Sequence, residues 1–294
     1  MRRLIAGCGY VGTELATRWL AAGDEVFGLR RRPRGLPDGV RPLAVDLCDA
    51  PGVAALLPGE LDTVIYAVSP DGPSLEDYRR ACLDGLATLL DHLPVPGPRV
   101  VLASSTSVYG QDDGSWVDEG SATVPRSPTG RILLEAEATL AGSGHAFSIL
   151  RLGGIYGPGR TRLLETVRDG SARLPLEPGV YTNRIHRDDA ARAFDHLANL
   201  SPVDSVYIGV DDDPAELGTV LAWMAQRLGA PVPVPSDRGG SPRPRAGPRT
   251  RKRCRNRRLR ASGFRFHHPS FREGYDAILR ASPAGAAGPG GEGA

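Results

Sequence analysis

The chain has 294 residues, of which 40% are hydrophobic and 24% charged, a balance ordinary for a globular protein with a sizeable core. The formal net charge of +2 conceals an asymmetry: ten arginines, Lys252 and one aspartate crowd into residues 236–260, a local +10 that leaves the remainder at −8. A globally basic nucleic-acid-binding chain is thereby excluded, as is a spanning helix, since no run reaches about 18 apolar residues. Met1-Arg2-Arg3 leads straight into Leu4-Ile5-Ala6-Gly7, too short an apolar stretch for a secretory signal. Cys8, Cys48, Cys82 and Cys254 are widely spaced, with neither a C-x-x-C pair nor metal-ligand spacing. The expectation is a cytoplasmic protein without a metal or membrane contact.

The predicted elements alternate strand and helix. Leu4–Ala6 reads as a first strand, and Val11, Leu15, Trp19 and Leu20 recur at helical spacing up to a stop at Gly23. Glu25–Leu29 and Arg41–Val45 read as strands two and three, and Thr63–Val68 as a central parallel strand. Ser74 with Asp77 resembles a capping box opening a helix through Leu93. Arg99–Ala103 follows as a strand, Thr129–Leu140 as a helix and Phe147–Leu152 as a strand. Beyond them, helical patterns at Leu163–Arg168, Asp189–Leu200 and Pro214–Leu228 flank a strand at Ser205–Val210. The fold class is α/β, a Rossmann-type doubly wound parallel sheet with a small C-terminal α/β substrate lobe. The expected organisation is a dinucleotide-binding domain with interleaved lobe segments over 1–235. A basic linker and a lobe segment then cover 236–281, and a disordered Gly/Ala/Pro tail covers 282–294.

Gly7-Cys8-Gly9-Tyr10-Val11-Gly12 is G-x-G-x-x-G directly between a strand and an amphipathic helix. Gly7 permits the tight turn, Gly9 a close approach of pyrophosphate, and Gly12 close packing of helix on strand. The backbone at Tyr10 and Val11 opens the helix, whose N-terminus suits phosphate. At the end of strand two an acid selects the ribose of NAD and an arginine accommodates a 2′-phosphate. Here Arg30, Arg31 and Arg32 follow Leu29 with no acid, so NADP is favoured and NAD is the alternative. Asp46, followed by Leu47, ends strand three, either as an acceptor for the adenine amino group or as a helix N-cap.

With these elements the chain resembles the extended, atypical short-chain dehydrogenase/reductase superfamily, the NAD-dependent epimerase/dehydratase group. The carrying segments are Gly7–Gly12, Val45–Leu47, Ala103–Gly110, Arg151–Gly159 and Asn183–Asp189. The stretch from Lys252 to Tyr275 is similar to the C-terminal part of that group's YeeZ-like branch. The resemblance implies an oxidoreductase or epimerase acting on a small hydroxyl or carbonyl compound. It also implies cofactor contacts near Ala67, a substrate oxygen polarised by Ser105, and a homodimer.

The same resemblance exposes departures. The family's Tyr-x-x-x-Lys pair falls on Thr129 and Leu133, or in another register on Ser127 and Arg131, and both residues are replaced either way. A threonine hydroxyl does not trade protons near neutrality as a tuned phenol does. Ser105 and Thr129 are left as hydrogen-bond donors to a substrate oxygen, with Arg131 a candidate to stabilise oxyanion charge. Tyr109 reads as a packed ring at the base of the loop. Tyr156, Asn183 and Arg184 are candidate substrate residues and His186 a structural one. Gly154 and Thr182 stand where nucleotide-sugar enzymes carry Asn and Arg, which does not support a nucleotide sugar. Asp211-Asp212-Asp213-Pro214 reads as a helix cap, His267-His268 as no ligand pair, and the basic run as mostly a solvated face without specific nucleic-acid recognition. A non-catalytic NADP-binding sensor is the rival reading.

Overall fold

The computed structural model describes residues 1–174, 176, 179–235 and 251–281. The expected linker residues 236–250 and tail 282–294 lie outside them. The first half runs β1 (Arg2–Ala6), α1 (Tyr10–Ala21), β2 (Glu25–Leu29), β3 (Arg41–Leu43), α2 (Ala50–Leu56), β4 (Thr63–Tyr66), α3 (Leu75–Arg79), α4 (Gly85–Asp91), β5 (Arg99–Ser105) and β6 (Trp116–Val117). The second continues with α5 (Pro128–Gly142), β7 (Phe147–Leu152), β8 (Gly154–Tyr156), α6 (Arg162–Arg168), β9 (Arg184–His186), α7 (Arg187–Asn199), β10 (Val206–Gly209), α8 (Leu217–Leu228), β11 (Arg253–Cys254), α9 (Arg257–Ala261) and α10 (Phe271–Ala281).

Seven strands form one sheet in the order β10-β7-β5-β4-β1-β2-β3, every neighbour parallel. The period of two sends Leu4, Ala6, Val64, Tyr66, Val100 and Leu102 into one apolar layer with Leu86, Leu89, Ala136 and Leu140 of α4 and α5. Ile5, Ile65 and Val101 point the other way, against Leu15 and Trp19 of α1 and Phe194 and Leu197 of α7. Full burial of each such side chain contributes about 1.5–3 kcal/mol. Strand order reverses at β1 and β4, so the chain leaves these neighbours in opposite directions and opens a crevice at their carboxyl ends.

A separate cluster gathers Leu164 and Val167 of α6, Val220, Leu221 and Met224 of α8, and Phe271, Tyr275 and Ile278 of α10. Two short parallel pairs, β8–β9 and β6–β11, tie this lobe to the sheet.

Several boundaries differ from expectation. The helix opened by the Ser74–Asp77 capping box is interrupted at Arg80–Asp84 by one π-helical segment before resuming as α4. Helix α8 begins at Leu217, so Pro214 is not its first residue; two of the three preceding aspartates hold the C-terminal segment instead. Asp212 accepts from Asn256 and Arg260, and Asp213 from Arg272. The basic stretch from 251 onward is not a solvated face. Lys252, Cys254, Asn256 and Leu259 are buried, and Arg258 donates to the Val206 carbonyl at 2.9 Å. Arg253 likewise donates to the Gly114 carbonyl at 2.8 Å, so these two side chains satisfy backbone acceptors outside their own segment. Trp116 is 42% exposed, with the guanidinium groups of Arg253 and Arg255 about its ring.

Candidate active site

The turn from β1 into α1 is built as its glycines require. Gly7 has φ +83°, and a Cβ there would stand 2.6 Å from the Ala67 carbonyl and the Val68 nitrogen. At Gly12 a Cβ would meet Ile5 Cγ2 at 2.9 Å. Gly9 differs, because a Cβ there would meet only the Gly7 oxygen, at 3.8 Å. Helix α1 carries no side-chain cap and no acid in its first turn. The N–H groups of Tyr10, Val11 and Gly12 have no partner within the helix, whose first bond is from Thr13 N–H to Gly9 O. A pyrophosphate fits such a cradle.

The turn is pinned to its neighbours. Gly7 N–H donates to Leu29 O at 2.9 Å, and Ala67 N–H to Ala6 O at 2.8 Å. Arg30, half-buried just past β2, folds back to donate to the Cys8 carbonyl at 3.2 Å. Arg31 is exposed and paired with Asp71. Burial pushes the Cys8 thiol up to about 11, so it stays protonated. Asp46 is not the cap of α2; that role belongs to Asp49, which accepts from Gly52 N–H. Asp46 instead accepts from Cys48 N–H at 2.9 Å and faces Arg80 at 3.4 Å, with Leu47 buried beside it.

Across the crevice, Ser105 ends β5 and its Oγ accepts from Ser107 N–H at 3.1 Å. Helix α5 is capped by Ser127, whose Oγ accepts from Gly130 N–H and lies 3.2 Å from the Thr129 hydroxyl. A Cβ on Gly130 would sit 2.8 Å from Ser107 O, so the start of α5 presses on the turn that follows Ser105. Thr129 is buried there, and Leu133, one helical turn on, lines a small cavity with Val68, Ala103 and Ser104. Arg131 is exposed, as its offset of two residues from Thr129 dictates.

Behind this face lies a buried polar network that the sequence reading missed. Glu137 of α5 accepts from Ser104 Oγ at 2.6 Å and from Arg151 Nη2 at 2.6 Å, and Arg151 Nη1 reaches Tyr109 Oη at 2.7 Å. Burial drives the Tyr109 phenol up to about 12, in keeping with a packed ring. A cation inside an otherwise apolar strand was the available signal, since a buried arginine requires a buried acid.

The candidate substrate residues use their polar groups internally. Asn183 donates to Lys252 O at 3.1 Å and accepts from Cys254 N–H at 2.7 Å, fastening the C-terminal segment beside β9. Arg184 is buried, donates to the Thr182 hydroxyl and lies near Asp211, whose carboxyl burial holds well above the usual range. Tyr156 stacks on Tyr275 with ring centroids 4.5 Å apart, and its hydroxyl points to Ser270 O at 3.4 Å. His186 caps α7 through Nδ1, and burial lowers it from 6.5 to about 4. Asp189 accepts from His267 N–H and His268 N–H, both at 2.8 Å, which anchors the backbone of that pair. Among the described residues no group of three His, Cys, Asp or Glu side chains is placed to hold a metal ion, and no helix is long and apolar enough to cross a membrane.

Strand order and glycine turn together define a doubly wound α/β protein of the NAD(P)-binding type. More narrowly, the chain belongs to the NAD dependent epimerase/dehydratase family, whose family model matches residues 4–206. It is 33% identical to Protein YeeZ of Escherichia coli (strain K12) over 248 residues, covering 78% of this chain and 84% of that one. It is 28% identical to a 3-diazoavenalumate denitrifying reductase of Streptomyces sp. over 305 residues, covering 93% and 99%. Among solved structures, an NAD-dependent epimerase/dehydratase from Methylobacillus flagellatus superposes with a TM-score of 0.77 at 35% identity, covering 95% of this chain and 98% of the other.

Proposed function

We propose that the chain is an NADP(H)-preferring oxidoreductase or epimerase-like enzyme acting on a small hydroxyl or carbonyl compound. The observation that carries the reading is the open surface at Gly9 under the unpaired N–H groups of α1, with Arg30 half-buried beside the same turn. Bound there, a nicotinamide cofactor supplies hydride transfer at the carboxyl edge of the sheet. Arg30 and, with less force, Arg31 hold a 2′-phosphate; Arg31 already shares its charge with Asp71. Ser105 and Thr129 offer hydroxyls to a substrate oxygen. Neither ionises near neutral pH, so they polarise that oxygen rather than exchange its proton.

The inward positions Thr129 and Leu133 support placing the family's Tyr and Lys there, each replaced, with Ser127 serving as a cap and Arg131 facing out. That observation also favours the second reading, an NADP-binding sensor without turnover. The reductase relative from Streptomyces weighs on the side of an enzyme.

The test is a thermal unfolding series with NADPH and NADH. A ligand at 100 times its Kd stabilises the native state by about 2.7 kcal/mol, an easily measured shift. No shift with either nucleotide refutes the cofactor assignment. A shift with NADPH combined with no turnover on a carbonyl panel leaves the sensor.

A further inference from the structure

We propose that Arg160 is a pyrophosphate-binding cation, delivered across the glycine turn from the substrate lobe and seated there by Tyr10. The inference rests on the cofactor reading above and adds to it a residue outside the glycine motif.

The charge balance of the cradle motivates it. A pyrophosphate brings two negative charges, whereas a helix N-terminus supplies roughly half a positive one. The turn and first helical residues from Gly7 to Thr13 contain no cation. Arg30 is turned toward the Cys8 carbonyl, to which it donates. A cation from another part of the chain would complete that balance.

The strap between β8 and α6 provides it. Tyr10, the first residue of α1, donates from its hydroxyl to Pro158 O at 2.9 Å. The Arg160 guanidinium lies over the Tyr10 ring, 4.1 Å from its centroid. Gly157 lets the strap pass this close: at φ +151°, a Cβ there would stand 2.8 Å from Tyr10 Oη and 3.0 Å from Arg187 Cβ. The strap closes through Arg160 N–H to Gly157 O at 3.0 Å, which fixes where the side chain departs. Arg187 also approaches the ring, at 5.5 Å, yet it is committed to Glu14 at 3.2 Å and Asp188 at 2.9 Å. Arg160 forms no ion pair among the described residues and is exposed. Its stacking on the side chain of the residue that opens α1 keeps the planar donor fork beside the start of that helix, and such a fork is suited to phosphate. The cation on the substrate lobe thus meets the anion on the sheet domain.

The experiment measures dinucleotide affinity of the full chain by nucleotide fluorescence over a range of salt concentrations, for wild type, Arg160→Gln and Arg160→Lys. Each is first checked for an unchanged melting midpoint without nucleotide. Arg160→Gln should weaken binding about tenfold, as one charge-assisted contact of roughly 1.4 kcal/mol implies. It should also make affinity less salt-dependent, because one screened attraction has gone. Arg160→Lys should recover part of the loss. Wild-type affinity and salt dependence in Arg160→Gln overturn this inference alone. Weaker binding with an unreduced salt dependence also overturns it, since the loss is then not that of a charge. A wild type that binds neither NADPH nor NADH overturns the cofactor reading and this inference together.

Discussion

Glu137 of α5 and Arg151 of β7 form a buried ion pair, Nη2 to Oε2 2.6 Å, with both side chains under one-tenth exposed. The carboxylate also takes the Ser104 hydroxyl, and the guanidinium also reaches Tyr109, so one pair ties α5, β5, β7 and the loop after β5 together. Removing one partner strands the other charge in the interior. Glu137→Ala should cost about 3–5 kcal/mol, read from the urea midpoint. Glu137→Leu combined with Arg151→Met should recover most of that loss. If Glu137→Ala is as stable as wild type, the pair does not exist as described.

The glycine turn separates binding from folding. Gly7→Ala places a Cβ 2.6 Å from the backbone of residues 67 and 68 at φ +83°. Strained backbone of that kind costs about 1–3 kcal/mol before the clash is counted, so the melting midpoint should fall along with nucleotide binding. Gly9→Val points its side chain into open space. It should melt within a few degrees of wild type while losing the thermal shift with dinucleotide. Equal damage from both substitutions would contradict the open cradle.

Cofactor preference should divide between the two arginines. Arg30→Ala is expected to weaken NADPH more than NADH, by about tenfold or more, as loss of one charge-assisted contact implies. Arg31→Ala should do less, because Asp71 already neutralises that side chain. A wild type that prefers NADH would remove the 2′-phosphate role from both.

Catalysis should follow the inward face of α5. Ser105→Ala should reduce any turnover by about a hundredfold, the usual worth of one well-aimed donor. Thr129→Ala should reduce it without moving the pH profile, since no proton is exchanged there. The exposed Arg131→Ala is the discriminating variant: a loss of tenfold or more would show that its side chain swings over the site. Thr129→Tyr with Leu133→Lys should raise activity if the replaced pair is what limits the reaction. The rate, compared in one assay, decides among these.

Stability should depend on pH through His186. Burial holds its folded-state value near 4 against an ordinary 6.5. Between those values the unfolded chain binds the proton and the native chain does not, so stability rises with pH across this window and falls as pH drops through it. Asp189, held low by its bonds to residues 267 and 268, adds its own loss only below the ordinary carboxylate range. His186→Asn keeps a capping side chain and should flatten the melting midpoint between pH 4 and 6.5 relative to wild type.

Local periodicity was sufficient for the sheet. Thr63–Tyr66 and the Val100–Ala103 part of Arg99–Ser105 are apolar runs because both faces of a parallel sheet are covered, and Gly7 and Gly12 mark positions with no room for a side chain. Such features depend on residues a few positions apart, and a single chain displays them. What the sequence did not display were relations between distant segments. Arg151 announces a need for a counter-charge but not that Glu137 meets it. Asn183 reads as a pocket residue until Lys252 and Cys254 are brought to its amide. The aspartates at 211–213 read as a helix cap until Asn256, Arg260 and Arg272 arrive to use two of them. Composition made residues 251–260 look solvated, yet that stretch is held against the sheet by β11 and α9. A polar side chain's role is set by which group reaches it first in space, and only the tertiary structure decides that order.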